Sequence, residues 1–170
     1  QLSVRNLCDG GDTPGFRPHS ARNKPWAFPG AEQFQDEFAN NAESQGHLDT
    51  HDQWMTRLKS DVVVAFFGFS ESYEGISKIN RYKDELAAFI KHTKSQKYNG
   101  ISAPKLVIVS PIAFEDVTKF YDVPKGIEEN IRFAKYTEAM RAVCQQYNVQ
   151  FIDVFSVSKK WYASAKNPLT

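Results

Sequence analysis

The sequence predicts a single three-layer α/β domain, in which a parallel β-sheet lies between two layers of helices. Short apolar runs alternate along the chain with segments of helical periodicity. Two of these runs are apolar at successive positions, a pattern typical of parallel strands that are covered on both faces. The chain has 170 residues, of which 41% are hydrophobic and 14% aromatic, so residues 1–170 can bury the core of one compact domain.

Four runs rich in β-branched or aromatic residues are predicted to be strands. They are Leu2–Leu7, Asp61–Phe69, Lys105–Pro111 and Val149–Phe155. Apolar residues at helical spacing predict helices over roughly Asp49–Leu58, Ser77–Lys94 and Glu128–Tyr147. We expect the four strands to form one parallel sheet, with the functional site outside their carboxyl ends.

The charge of the chain argues against several classes of partner. With 21 Lys and Arg against 20 Asp and Glu, the net charge is +1, which provides no strong field for nucleic acid or an anionic membrane surface. No apolar segment approaches the ~20 residues of a membrane span.

Cys8 and Cys144 have no metal-ligand spacing and are interpreted as ordinary small core residues. We therefore expect no metal and no other cofactor.

Residues 10–46 form an unusually long connection that is rich in Gly, Pro, Asn and aromatic residues. Connections of this length in a compact domain are usually functional or stabilised by their own packing. His19, His47 and His51 lie in or beside this segment, where a position at the surface or at the rim of a substrate site is expected.

The second predicted strand ends in the sequence GFSES, residues 68–72, which is one glycine short of the G-x-S-x-G nucleophile elbow. An elbow serine needs a histidine base later in the chain, and only His92 follows Ser70. His92 lies in the lysine-rich stretch FIKHTKSQK, where we expect a solvated side chain rather than a base. The pattern therefore does not favour Ser70 as a nucleophile.

A different family fits the order of the motifs. RNLCDGGDT at residues 5–13, a strand ending in FFGFSES, then KLVIVSPI and NIRFAKYTEAM resemble the SGNH hydrolase superfamily, also called the GDSL esterases. The likeness is to a bacterial subgroup with the blocks Asn-Leu-Gly-Trp-Ser-Gly-Asp-Thr and Gly-x-Asn-Glu-Ser, and it covers most of the chain. It implies a flavodoxin-like parallel sheet of the SGNH type and a serine esterase activity.

The resemblance also implies roles for individual residues. Gly11 matches the family glycine whose backbone N–H points into the oxyanion hole, where a residue without a side chain allows close approach. Ser70 matches the family asparagine, whose amide donates to the oxyanion; a serine hydroxyl can donate too, but it is shorter and rotates freely. Asp12, Glu71 and Glu115 are expected to line the substrate rim.

The family's nucleophilic serine belongs to a Gly-Asp-Ser block and its histidine to an Asp-x-x-His block, and neither is identifiable in the 170 residues. Three explanations stay open: these residues are the central part of a longer enzyme, another chain supplies the blocks, or the domain is a non-catalytic module that binds a ligand or a partner. We favour the first, which leaves room for flanking domains and a signal peptide.

On that explanation, the resemblance implies hydrolysis of a small-molecule or carbohydrate ester in an extracellular or periplasmic location.

Two alternatives to the SGNH interpretation remain. Gly, Asp and Ser favour turns for reasons unrelated to chemistry, so residues 10–12 and 68–72 are also compatible with plain turns. A flavodoxin-like domain that binds a phosphate cofactor is less favoured, because no phosphate-binding loop follows a strand apart from the turn at residues 10–11.

Overall fold

The computed structural model describes residues 2–8, 13–15 and 51–170, and these residues form a mixed α/β fold. The strands are β1 Val62–Phe66, β2 Lys105–Val109 and β3 Gln150–Ile152. The α-helices are α1 His51–Arg57, α2 Ile79–Ser95, α3 Ile127–Gln146 and α4 Val154–Ser164. Two short 3₁₀ helices, Ser70–Glu74 and Ile76–Lys78, connect β1 to α2. Among the helices in these ranges, none combines the length and the apolar character needed to cross a lipid bilayer.

The three strands form a parallel sheet in the order β1-β2-β3. Val64 pairs with Val107 between β1 and β2, and Val109 pairs with Ile152 between β2 and β3. The prediction of parallel pairing is confirmed for these strands. Helices α2 and α3 provide the crossovers that parallel neighbours require.

The prediction of a fourth strand at Leu2–Leu7 is wrong, because residues 2–8 contain neither strand nor helix. Leu2 and Val4 are largely exposed, whereas Leu7 packs beside the main core. A segment becomes a strand only when its backbone pairs with a neighbouring strand, and the apolar residues of a short run do not ensure that pairing.

The main core lies between one face of the sheet and the helices α1, α2 and α3. Its completely buried side chains include Leu86, Ile90, Ile108, Tyr136, Met140 and Cys144. Both cysteines are free thiols. The expectation of a core position is confirmed for Cys144 and wrong for Cys8, which is exposed.

The opposite face of the sheet is also apolar. Successive side chains of a strand point to opposite faces, so Val63 and Ala65 enter the core while the residues between them point away from it. Those residues are Val62, Val64 and Phe66, which are 52%, 48% and 60% exposed. The continuous apolar run of β1 therefore has one buried and one half-exposed face among the residues that the structure describes.

Helix α4 replaces the end of a predicted strand. The prediction of strand through Phe155 is wrong, because β3 ends at Ile152 and Asp153 caps the next helix. The Asp153 carboxylate accepts a hydrogen bond of 2.8 Å from the backbone N–H of Ser156 and also pairs with Arg141. An aspartate in this position satisfies a helix N–H that would otherwise have no partner.

Two buried serines attach α4 to the segment that follows β2. The Ser110 hydroxyl accepts a hydrogen bond of 3.0 Å from the N–H of Phe155. The Ser158 hydroxyl accepts one of 2.8 Å from the N–H of Ala113 and donates to the carbonyl of Val154. Each hydroxyl thus satisfies a backbone group that is hidden from water.

We expect Ser158→Ala to lower the free energy of unfolding by about 1–3 kcal/mol, because the buried N–H of Ala113 loses its acceptor. Urea unfolding followed by circular dichroism measures the change. Ser164→Ala is the matched control, since the exposed Ser164 hydroxyl donates only to carbonyls of its own helix. Equal stability of the two variants would show that the hydroxyl of Ser158 is not needed by Ala113.

Candidate functional site

The candidate site begins where β1 leaves the sheet and turns sharply. Gly68 has φ +92°, a conformation that residues with side chains rarely adopt. A Cβ atom here would lie 2.9 Å from Met140 Sδ and 3.2 Å from Pro111 Cδ, so α3 and the exit of β2 also require glycine. This turn places Ser70 just beyond the carboxyl end of β1, where open parallel sheets bind their ligands.

Two hydrogen bonds fix the turn, one within it and one to helix α3. The backbone N–H of Gly68 donates to Glu71 Oε2 over 2.9 Å. The hydroxyl of Tyr136, on α3, donates to the carbonyl of Gly75 over 2.9 Å. The first bond closes the backbone around Ser70, and the second attaches the end of the turn to α3.

The Ser70 side chain is the chemically available group of this turn. The residue is half-buried, and its hydroxyl forms no hydrogen bond with the residues that the structure describes. A hydroxyl can both donate and accept, so Ser70 can offer a hydrogen bond to a ligand oxygen. The role of Ser70 as an oxyanion donor stays a prediction.

The expectation that His92 is solvated is wrong. Its side chain is 9% exposed, and its Nε2 lies 2.8 Å from Asp52 Oδ2 of α1. The other oxygen of Asp52 accepts a hydrogen bond of 2.6 Å from the hydroxyl of Tyr98. His92 lies near the far end of α2, roughly 20 Å along the helix axis from its start, so it is too distant to act as a base for Ser70.

Aromatic rings surround the turn that carries Ser70. The ring of Phe69 packs against those of Tyr73 and Phe133, with centroid distances of 5.5 and 5.3 Å. The guanidinium of Arg132 lies 5.4 Å from the centre of the Tyr73 ring. Phe133 is buried, whereas Phe69 and Tyr73 remain about half exposed beside Ser70. The site therefore combines a fixed turn with an accessible aromatic border.

Glu71 lies in a strongly perturbing environment. The residue is 3% exposed, and burial raises the pKa of its carboxyl to about 8. The neighbouring acids Glu85 and Glu74 raise this pKa further, whereas hydrogen bonds from backbone N–H groups lower it. Glu71 is thus mainly a neutral acid at pH 7, and its burial distinguishes it from the rim residue that we expected.

Glu115 is also buried, and its carboxylate is occupied by the last residues of the chain. It accepts hydrogen bonds from the backbone N–H groups of Leu169 and Thr170 and from the Thr170 hydroxyl, over 2.7 to 3.0 Å. The bond from the Thr170 hydroxyl lowers the pKa of Glu115. Substrate contact by Glu71 and Glu115 stays a prediction, and both carboxylates already bind backbone groups of this chain.

Several predicted positions lie outside the described residues. Gly11 and Asp12 are among them, as are His19, His47 and most of the long connection at residues 10–46. His51 begins α1. The pairing of the Gly11 N–H with the Ser70 hydroxyl therefore stays a prediction.

An open cleft of about 430 Å³ lies at the other end of the sheet, beside the first residues of the three strands. Two lysines, Lys94 and Lys105, contribute to its lining. The ammonium of Lys94 donates to the carbonyl of Tyr147 over 2.8 Å, so it already has a partner. Within residues 2–8, 13–15 and 51–170, no group of three or more His, Cys, Asp or Glu is placed to hold a metal ion.

Sequence reasoning did not identify the residues that support the turn from below. Tyr82, Tyr136 and Met140 were treated as helix residues, yet they approach Gly68 or Gly75. The sequence signal was the pair of glycines on either side of SES, which indicates a turn but not the helices that pack under it.

Comparison of the chain with protein-family models, curated proteins and solved structures found no match.

Proposed function

We propose that the chain is an ester hydrolase domain of the SGNH type, in which the Ser70 hydroxyl and the Gly11 N–H are the donors of the oxyanion hole. The observation that carries the proposal is the position of Ser70. It follows a parallel strand at its carboxyl end, in an anchored turn, with a hydroxyl that no described residue uses. Its sequence motif agrees, because GFSES occupies the place of the family's Gly-x-Asn-Glu-Ser block.

The chemistry of ester hydrolysis explains why a donor is useful at this position. Attack on the ester carbonyl moves negative charge onto its oxygen, and donors that are already oriented stabilise that charge without reorganisation. The turn at Ser70 is suited to this task, because hydrogen bonds at Gly68 and Gly75 fix its backbone. Ser70 itself is not the proposed nucleophile, since its hydroxyl has no base among the described residues.

The proposal requires a serine nucleophile and a histidine base from outside the motifs found in residues 1–170. We place them in flanking parts of a longer polypeptide, called the parent polypeptide here. The proposed substrates are esters of carbohydrates or of related small molecules, and the proposed location is extracellular or periplasmic. The half-exposed aromatic rings of Phe69 and Tyr73 suit a substrate with an apolar face.

The proposed fold has helices on both faces of the sheet. The support for a second layer is the apolar face formed by Val62, Val64 and Phe66. Parallel sheets with such strands occur almost only where helices cover both faces. This part of the proposal concerns architecture and can fail independently of the oxyanion site.

A non-catalytic binding domain is the second candidate. It is favoured by the same hydroxyl, because a serine donor without a nearby base can hold a ligand oxygen without performing chemistry. The two candidates differ in one respect that can be measured: only the hydrolase becomes covalently modified by a serine-directed phosphonate.

We expect residues 1–170 alone to show no turnover of p-nitrophenyl acetate above that of their Ser70→Ala variant, because neither a Gly-Asp-Ser nor an Asp-x-x-His block that would supply an activated nucleophile is identifiable in their sequence. The parent polypeptide is expected to turn the ester over and to react with a fluorophosphonate at a serine other than Ser70. Peptide mapping by mass spectrometry identifies the modified residue.

Two outcomes would contradict this expectation. Labelling of Ser70 itself, with turnover by residues 1–170 that Ser70→Ala abolishes, would make Ser70 the nucleophile. A parent polypeptide that binds the ester but is neither labelled nor active would favour the binding domain.

A further inference from the structure

The turn that carries Ser70 contains a buried acid whose hydrogen-bonding capacity is only half used. Glu71 Oε2 accepts from the N–H of Gly68, while Oε1 is buried and makes no hydrogen bond to any described residue. The hydroxyl of Tyr82, on α2, is likewise buried and unpaired within the described ranges. Buried polar atoms normally have partners, so an unpaired carboxyl oxygen at this place requires an explanation.

Both atoms belong to the surroundings of Gly68. Tyr82 Oη lies 3.6 Å from the position that a Cβ of Gly68 would occupy. Glu71 reaches the same glycine through its hydrogen bond to the backbone N–H. A carboxyl group that is enclosed at such a point loses the water that stabilises its charged form.

Four ionisable groups face Glu71. They are Glu74 in the same turn, Tyr82 and Glu85 on α2, and Tyr136 on α3. All four are acids. Arg81 of α2 is paired with Glu85 at 3.0 Å, so this cation is already engaged.

We propose that Glu71 is a positioning residue for Ser70: as a neutral carboxylic acid it holds the turn in place, and its ionisation in mildly alkaline solution loosens that turn. The proton resides on Oε1, because Oε2 is the acceptor for Gly68. When a base in solution removes it, a negative charge is left in a buried site near Glu74 and Glu85. The effect on ester hydrolysis rests on the proposed function, whereas the effect on the turn does not.

The direction of the pH dependence follows from the raised pKa. The carboxyl has a pKa of about 8 in the folded protein and an ordinary value of 4.5, so the folded state binds the proton more tightly than the unfolded state. The stability that Glu71 contributes is complete below pH 4.5 and is lost as the pH rises through 8. A neutral glutamine at this position cannot show that loss.

The test is a pH titration of residues 1–170 followed by NMR. We expect the side-chain carboxyl carbon of Glu71 and the amide signals of Gly68 and Ser70 to shift together, with a common midpoint near pH 8. In Glu71→Gln, the two amide signals are expected to stay constant across this range, and the urea midpoint is expected to lose the corresponding part of its pH dependence. The matched control Glu138→Gln, at an exposed position of α3, should keep the wild-type profile.

A Glu71 carboxyl that titrates below pH 6 would overturn the proposal. This measurement is made on the wild-type sequence, so it does not depend on whether Glu71→Gln folds. Amide signals of Gly68 and Ser70 that ignore the titration would also overturn it. If the parent polypeptide is a hydrolase, its kcat should fall above pH 8 and Glu71→Gln should remove that alkaline loss. A parent polypeptide without esterase activity would leave the NMR result intact, so failure of the proposed function is distinguishable from failure of this inference.

Discussion

In the parent polypeptide, Ser70→Ala is expected to lower kcat by about 10²–10³-fold, the usual effect of removing one oxyanion donor. The KM should change little, because the oxyanion exists only in the transition state and its intermediate. The hydroxyl of Ser70 forms no hydrogen bond with a described residue, so its removal leaves no partner unsatisfied there. Steady-state kinetics with p-nitrophenyl acetate separates kcat from KM.

Ser70→Asn provides the complementary measurement. An asparagine amide extends further than a hydroxyl and directs its N–H more firmly, so kcat is expected to equal or exceed that of the wild type. Ser77→Ala is the control, since Ser77 is an exposed serine in the second 3₁₀ helix of the same connection. A kcat for Ser70→Ala that matches this control would remove Ser70 from the oxyanion hole.

The second large effect is expected for Phe133→Ala, which should lower the free energy of unfolding by about 3–5 kcal/mol. Phe133 is 1% exposed, and its ring contacts those of Phe69, Tyr73 and Phe155. Removal of the ring leaves a cavity under the turn that carries Ser70, as well as a gap against α4. Urea unfolding of residues 1–170 measures the loss.

Phe120→Ala is the matched control for Phe133, because Phe120 is a largely exposed phenylalanine. Its replacement is expected to change the free energy of unfolding by less than about 0.5 kcal/mol. The NMR signal of Ser70 should broaden or shift in Phe133→Ala and stay in place in Phe120→Ala. Similar destabilisation by the two variants would show that Phe133 is not a principal support of the site.

The parts of the fold that the sequence predicted best are those with strong local signals. The continuous apolar runs of β1 and β2 could be recognised, as could α2 and α3. In each of these elements the core residues belong to an apolar pattern that is visible along the sequence. Their parallel order followed from the helices between them. Ser70 could be placed at a strand end for the same reason, since a turn sequence follows an apolar run.

The errors concern features that depend on distant residues. The segment Leu2–Leu7 has strand composition, but strand formation requires a neighbour that a local pattern cannot supply. His92 was expected to be solvated from its lysine-rich surroundings, yet Asp52 from another helix covers it. Glu71 was expected at a rim, and only packing against α2 and α3 shows that it is enclosed.

The error at the boundary between β3 and α4 has a different cause, because the signal for the correct structure is local. Asp153 was included in a strand because apolar residues surround it, although an aspartate three residues before Ser156 also suits a helix N-cap. Two local preferences competed, and the capping interaction determined the structure. The capping signal was present in the sequence and could have been used.

The half-exposed apolar face of β1 has a consequence for the colloidal behaviour of residues 1–170. The exposed apolar patch consists of Val62, Val64 and Phe66 and favours association between molecules. Net charge normally opposes such association, but here it is small near neutral pH, because the sequence pI is about 7.9. Electrostatic repulsion between molecules therefore nearly vanishes in the mildly alkaline buffers in which proteins are often stored, and sulfate or phosphate salts strengthen contacts between apolar surfaces. Acidic buffers of low salt content, in which every molecule carries the same positive charge, are the conditions that keep this domain dispersed.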